Sequence, residues 1–400
     1  MPAFDGRRFW FVGIGGAGLS GYALLAQAWG AEVAGWDRYE TPYLGSVRAA
    51  GIPVTICADV VPAPEGWEAV VSTAFAGRAE GRSRSDFLAE LVSPARAIVV
   101  AGAHGKTTTA AMIAFVLDRL GLDPAYLIGA EVPQLGGNAA AGSGWLVVEG
   151  DESDRTVFAL PAEIAVITNL DLDHHTTFAS EAELAEAFSA WAGGLIPGQV
   201  VWGHKLDPVD FELAVPGEHN RLNAACALAA LELAGVSRED AIAALREFRG
   251  AGRRLEPRGE AGGVRLFDDY AHHPAEVAAT LAAARELGEG GRRLVLFQPH
   301  LYSRTLHLAA ELGAALAQAD VVSVLDVYPA REDPIEGVSG KLVVDAVCEA
   351  RPGMTVAWTP DLEDGAAFLA GRARPGDVLL TIGAGDVEKA VPLIAEKLGS

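Results

Sequence analysis

The feature that most limits what this chain can fold into is a buried apolar strand running straight into a glycine loop and then a helix, and the sequence contains it twice. Arg8–Val12 leads into GIGGAG at 13–18 and an Ala/Leu-rich helix from about Leu19 to Trp29. Ala97–Val100 leads into Gly102-Ala-His-Gly-Lys-Thr-Thr-Thr109 and a helix to about Leu120. A strand with no polar alternation is covered on both faces, which points to a parallel sheet between helices. Further short strands fall at Glu32–Trp36, Ala69–Ser72, Leu146–Val148 and Ile164–Thr168. A third series follows Arg253-Arg254: Leu266–Asp268, Arg293–Phe297, Val321–Leu325 and Val378–Ile382. The expected fold class is α/β in three domains. Residues 1–93 form a Rossmann-like domain, 94–253 a P-loop ATPase-like parallel sheet, and 254–400 a second Rossmann-like domain.

Composition narrows the function. Half of the 400 residues are hydrophobic, which excludes intrinsic disorder. There are 31 basic against 53 acidic side chains, a net charge of −22. So acidic a surface argues against nucleic acid and anionic membranes as partners, and any anionic ligand must be held by a local site. Cys57, Cys226 and Cys348 are far apart and lack metal-ligand spacing. They read as buried free thiols in a reducing cytoplasm. The N-terminus reads directly into a strand, without a signal peptide, and no apolar run nears the about 18 residues needed to span a bilayer. A cytoplasmic location is expected.

Polar clusters sit where strands end, the place ligands occupy in open α/β sheets. Gly13, Gly15, Gly16 and Gly18 let backbone approach a pyrophosphate at a helix N-terminus, and Asp37 lies where a ribose-binding acid sits in dinucleotide folds. Tight strand-to-helix packing without a ligand is the alternative. The second loop is more specific. Lys106 is one of only 5 lysines beside 26 arginines, so its place in a phosphate-binding loop is not compositional accident. It would contact the β/γ-phosphates of ATP, and Thr107 would place its hydroxyl on Mg²⁺. Glu149, at the end of a neighbouring strand, and His174, after the next, are the further metal candidates. Asp151, Glu152, Asp154, Asp171 and Asp173 crowd the same clusters as solvated acids, helix caps or ligands. Asn220 and Asn223 share one face of a starting helix, where amides suit base edges or simple capping. His272 and His273 are adjacent and so not a helical zinc pair, while Arg304 at a sheet mouth suits a carboxylate clamp.

Taken together, the strings GIGGAG, AGAHGKTTT, EGDESD, TNLDLDHH, VPGEHNRLN, RRLE, DDYAHHP, FQPHLYSRT, YPAREDPIEG and GAGD resemble the Mur ligase family, in the family's order and over nearly the whole chain. The resemblance implies an ATP- and Mg²⁺-dependent amide ligase of peptidoglycan precursor synthesis. It would join L-alanine to the lactyl carboxylate of UDP-N-acetylmuramate through an acyl phosphate. It implies that Gly13, Gly15, Gly16, Gly18, Asp37 and Ser72 hold the UDP part of the substrate rather than a nicotinamide cofactor. Gly102, His104, Gly105, Lys106, Thr107 and Thr108 would bind MgATP with Glu149 and His174, His104 also facing substrate. Asn220, Asn223 and Arg254 would surround adenine and phosphates. The third domain would close over the site and bring the amino acid, with His272, His273 and Arg304. Lys106, Thr107, Glu149, His174 and Arg254 would carry the catalysis. A monomer or weak homodimer is expected. The rival readings are a recycling ligase that adds a tripeptide, a non-catalytic nucleotide-binding relative, and an NAD-dependent oxidoreductase, which leaves the Lys106 loop unexplained. Three departures from the family stand out: Ala103 in place of a threonine, Leu301 in place of an arginine, and a short stretch between His175 and Val215 that leaves Trp202–Leu213 as the remnant of a β-rich piece.

Overall fold

A computed structural model describes residues 3–171, 177–287, 290–330 and 332–399. It contains three sheets, and each arises where the apolar runs predicted strands. The first has the order Val54–Ile56, Glu32–Asp37, Arg8–Val12, Glu68–Val71, Arg82–Ser83, parallel throughout. Phe9, Phe11 and Val12 are fully or almost fully buried, as a strand covered on both faces requires. Ser72 lies just beyond the Glu68–Val71 strand, not inside it.

The second sheet runs Val200–Trp202, Ile164–Ile167, Ala97–Ala101, Leu146–Glu149, Ala125–Val132, Gly137–Ala140. Only the last pair is antiparallel. Every residue of Ala97–Ala101 is buried. This strand has one neighbour leading on to Val200–Trp202 and another leading on to Ala125–Val132, so its carboxyl end opens a crevice at a switch in strand order. The third sheet runs Glu256–Ala261, Val264–Asp269, Val378–Ile382, Arg293–Phe297, Val321–Val324, Thr355–Trp358, with only the first pair antiparallel.

The chain separates into two compact units. One comprises residues 1–214 and 221–251 and contains the first two sheets; the other comprises 215–220 and 252–400. In the first unit, the Ala17–Ala28 helix packs on the central sheet. Asn138 Nδ2 donates to the Ala17 carbonyl at 3.1 Å. A Cβ on Gly21 would lie 2.8 Å from Leu127 and 2.9 Å from Ala139, so this helical glycine is where two domains meet closely. In the second unit, Gly217 N–H donates to Glu286 at 3.2 Å.

The thiols depart from expectation. Cys226 is buried, Cys57 is half-buried and Cys348 is exposed on the Gly340–Ala350 helix. A lone apolar-ranked residue takes whichever helix face the surrounding pattern leaves it. The stretch after Trp202 holds one short 3₁₀ turn, Gly203–Lys205, and no strand up to Leu213. No described helix is long and apolar enough to cross a membrane.

Candidate active site

The 102–109 loop sits at the carboxyl end of the Ala97–Ala101 strand and opens the Lys106–Arg119 helix. Its shape depends on two glycines in the left-handed region, Gly102 at φ +114° and Gly105 at φ +80°. The neighbouring strand end braces it. Asn169 Oδ1 accepts from His104 N–H at 3.1 Å, Asn169 Nδ2 donates to the His104 carbonyl at 2.8 Å, and Thr168 Oγ1 donates to the same carbonyl at 2.7 Å. His104 Nε2 stands 3.8 Å from Asp171. Thr108 and Thr109 are buried below the loop.

Lys106 Nζ turns inward. It donates to the carbonyls of Gly102 at 2.6 Å and Ala103 at 3.2 Å, and to Glu152 Oε2 at 2.8 Å. Glu152 is 2% exposed. Burial works against the ammonium, but Glu152, Asp151 and Glu149 outweigh it and hold its pKa above the ordinary lysine value. Thr107 Oγ1 donates to Glu149 Oε2 at 3.0 Å, and Gly129 N–H fixes the other carboxylate oxygen at 2.5 Å. Glu149 pairs in register with Val100, which is why its carboxylate arrives beside the loop. Asn223 faces Gly105, where a Cβ would fall 2.2 Å from its Oδ1. Asn220 is one turn earlier on the Glu218–Leu233 helix and donates to the Pro216 carbonyl at 2.7 Å. His174 lies outside the described residues.

The first glycine loop is braced from within. Asp37, buried at the end of the Glu32–Asp37 strand, accepts from Gly15 N–H at 2.8 Å and Arg38 N–H at 2.7 Å. Thr41 Oγ1 donates to the Gly15 carbonyl at 2.7 Å. Both Asp37 oxygens thus hold backbone, so this acid shapes the loop. Gly13, at φ +88°, has Ser72 Oγ 2.7 Å from its would-be Cβ, with Phe75 at 3.1 Å. Gly16 caps the Ala17–Ala28 helix and Gly18 lies in its first turn.

In the second unit, the arginine pair divides its labour. Arg253 is a strut: it binds Asp268 at 2.8 Å and the carbonyls of Gly383 at 2.7 Å and Gly385 at 3.0 Å. Arg254 lies over the Tyr270 ring at 5.3 Å, a ring Arg253 also meets at 5.0 Å. Asp269 accepts from Leu255 and Ala271 N–H, and burial pushes its pKa up to about 6 against the pull of Arg254. His272 and His273 donate their N–H groups to Glu276, and the His272 ring is 5.8 Å from that of His300. His300 stacks on Tyr328 and meets Arg304 at 3.4 Å. Glu332 binds Ser303 at its N–H and hydroxyl. His272, His300, Arg304, Tyr328 and Glu332 therefore form one cluster at a sheet mouth. Leu301, at φ +70°, enters the Tyr302–Leu316 helix with its backbone in a region costly for any residue with a Cβ. Sequence reasoning passed over His300, Tyr328 and Glu332 as site residues, although each lies inside a quoted motif, and left Glu152 undistinguished among the acids of its cluster.

His300 carries a pH prediction. Burial, then the charges of His272 and Arg304, push its pKa from 6.5 down to about 4, with Glu332 opposing. Between these values the unfolded chain binds a proton that the folded chain refuses. The stability this group contributes is present above pH 6.5 and lost as pH falls through 4, by at most about 3 kcal/mol. Urea unfolding of His300→Gln should show a flatter profile over that range than the parent; an unchanged slope would remove His300 as the cause.

Residues 8–95 match the Mur ligase family catalytic domain, 100–201 the Mur ligase middle domain, and 253–385 the Mur ligase glutamate ligase domain. The chain is 40% identical to the UDP-N-acetylmuramate–L-alanine ligase of Streptomyces griseus, covering 98% of this chain and 97% of that protein. It is also 40% identical to the enzyme of that name from Renibacterium salmoninarum, over 99% and 97%. The Streptomyces alignment spans 455 positions against 400 residues here, so that relative carries at least 55 residues this chain lacks (455 − 400). The crystal structure of UDP-N-acetylmuramate–alanine ligase from Thermotoga maritima superposes with a TM-score of 0.78 at 26% identity, covering 98% of each chain. A murein peptide ligase from Psychrobacter arcticus shares the fold, with a TM-score of 0.66 at 22% identity. With all three domain types matched in order and full-length relatives at this identity, the chain belongs to the Mur ligase family.

Proposed function

We propose that this chain is the ATP-dependent ligase that joins L-alanine to the lactyl carboxylate of UDP-N-acetylmuramate, acting in the cytoplasm. The observation that carries the reading is the 102–109 loop, with Lys106 inside it and the Thr107–Glu149 pair beside it at a sheet switch point. A carboxylate is a poor electrophile with a poor leaving group. Transfer of the γ-phosphoryl group of ATP makes it an acyl phosphate, which the neutral amine of alanine attacks, releasing phosphate.

Such a transfer needs positioning and charge neutralisation more than covalent help. Lys106 supplies a fixed cation among converging anions, and the glycine loop offers backbone N–H groups to phosphate oxygens. Thr107 Oγ1 and Glu149 Oε2, 3.0 Å apart, are hard oxygen donors that suit Mg²⁺, which keeps several waters of its own. Thr107 and Glu149 would hold the ion, with His174 as a further ligand. When bound, Mg²⁺ neutralises charge on the β- and γ-phosphates. The first glycine loop, with Gly13, Gly15, Gly16, Gly18 and Ser72, receives the UDP moiety, and Asp37 keeps the loop in shape. Asn220, Asn223 and Arg254 serve the nucleotide, and His272, His273 and Arg304 the amino acid. The cluster around His300 suits an amino acid's paired charges: Arg304 for the carboxylate, and a neutral imidazole that does not repel an amine.

Phosphate release with UDP-N-acetylmuramate, ATP and Mg²⁺ tests the reading, with L-alanine, glycine, L-serine or a tripeptide added in turn. Release that depends on all three substrates and is fastest with L-alanine is expected. Preference for the tripeptide would make it a recycling ligase, and no turnover with any acceptor would make it a non-catalytic relative.

A further inference from the structure

Arg84 has a setting that the reading above does not use. It is the first residue of the Arg84–Val92 helix, directly after the edge strand Arg82–Ser83, so it leaves the sheet at the same end as the first glycine loop. Its guanidinium carbon lies 4.0 Å from where a Cβ on Gly18 would be, and Tyr22 Oη lies 3.9 Å from the same point. Tyr22 is 4% exposed, and its phenol oxygen is an electrostatic neighbour of the Arg84 guanidinium. Burial acts against the Arg84 charge, and Tyr22, Asp154 and Asp151 restore it. Its Nε is buried and, among the described residues, makes no hydrogen bond.

A second arginine near this loop, Arg38, lies over the Phe75 ring at 5.8 Å and donates from Nε to the Ala58 carbonyl at 3.2 Å. Gly13 is faced by Ser72 and Phe75, and Gly15 by Thr41 and Asp37. A diphosphate entering a protein of net charge −22 needs local positive charge beyond helix N–H groups. Arginine presents its donors in a planar fork that matches phosphate oxygens. Asp151 and Asp154 belong to the segment that also carries Glu149 and Glu152, so Arg84 stands between the glycine loop and the acids beside Lys106.

We propose that Arg84 is a substrate-binding residue that grips the diphosphate of the UDP-linked substrate, its guanidinium lying beside Tyr22 at the rim of the first glycine loop. This deepens the proposed function and rests on it. The test is calorimetric titration of the full chain, without ATP, with UDP-N-acetylmuramate, UDP and uridine. Arg84→Met should weaken UDP and UDP-N-acetylmuramate by about 10- to 100-fold, the span expected of a charged hydrogen-bond pair, and leave uridine unchanged. Arg84→Lys should recover part of the loss. In turnover, KM for the UDP substrate should rise while KM for ATP stays. Equal UDP affinity in Arg84→Met and the parent overturns the assignment. So does a parallel fall in uridine, UDP and ATP affinity with a lowered Tm in both variants, which would mark Arg84 as a strut between domains. If the parent chain binds neither UDP nor UDP-N-acetylmuramate, the proposed function itself fails, and this assignment with it.

Discussion

Lys106→Ala should abolish amino-acid-dependent phosphate release, with a loss of at least about 10²–10³ in rate, the usual cost of removing a preorganised charge from a transition state. It should also destabilise the fold. Lys106 and Glu152 form a buried pair at 2.8 Å, their side chains 17% and 2% exposed. Removing one partner of such a pair strands the other and typically costs about 3–5 kcal/mol. The two effects separate in the double variant Lys106→Ala with Glu152→Gln. Neutralising the stranded carboxylate should return most of the lost stability in urea or thermal unfolding, while activity stays absent. UDP-N-acetylmuramate binding, measured calorimetrically, should survive in both. Parent-like turnover in either variant would refute the role given to Lys106.

Gly102→Ala should be severely damaging to the ATP loop. The new Cβ would sit 2.3 Å from Thr168 Oγ1 and 2.8–2.9 Å from the Asn169 backbone. Thr168 cannot step aside cheaply, because its hydroxyl already bonds the carbonyls of Ala101 and His104. The backbone at φ +114° adds a strain of order 1–3 kcal/mol for any residue with a Cβ. The loop must open, which moves Lys106 off its anchors. ATP affinity should fall by more than tenfold and Tm should drop by several degrees, read by titration and calorimetry. Gly259→Ala is the control: it has an open Cβ position at φ +106°, so it carries the backbone term without the clash. Equal effects from both substitutions would show that backbone conformation, not crowding, governs Gly102.

What could be read from the sequence was what is local in it. The strands Arg8–Val12, Arg293–Phe297 and Val378–Ile382 are continuous apolar runs, and such runs bury themselves wherever they end up. The loop Gly102–Thr109 and the acid Glu149 were legible for the same reason: the loop directly follows a strand and Glu149 ends one, and strand ends are where an open sheet keeps its chemistry. Arg253 and Arg254 show the limit. Nothing in the dipeptide tells the two apart: both lie over Tyr270, and only the fold spends Arg253 on Asp268, Gly383 and Gly385.

Asp37 shows it again. A ribose-binding position predicted an acid that faces ligand; the folded loop turned its oxygens onto Gly15 and Arg38. Glu152 stood in a row of acids with no mark of its own until sheet order set Leu146–Glu149 beside Ala97–Ala101, bringing it to a lysine 46 residues away. Asn169 reached His104 across 65 residues in the same way, from the opposite neighbour strand. Periodicity, glycine loops and strand ends belong to the sequence because they follow from the chemistry of a few consecutive residues. Which buried charge meets which belongs to the tertiary structure, because strand order decides it, and strand order is a property of the whole packed core.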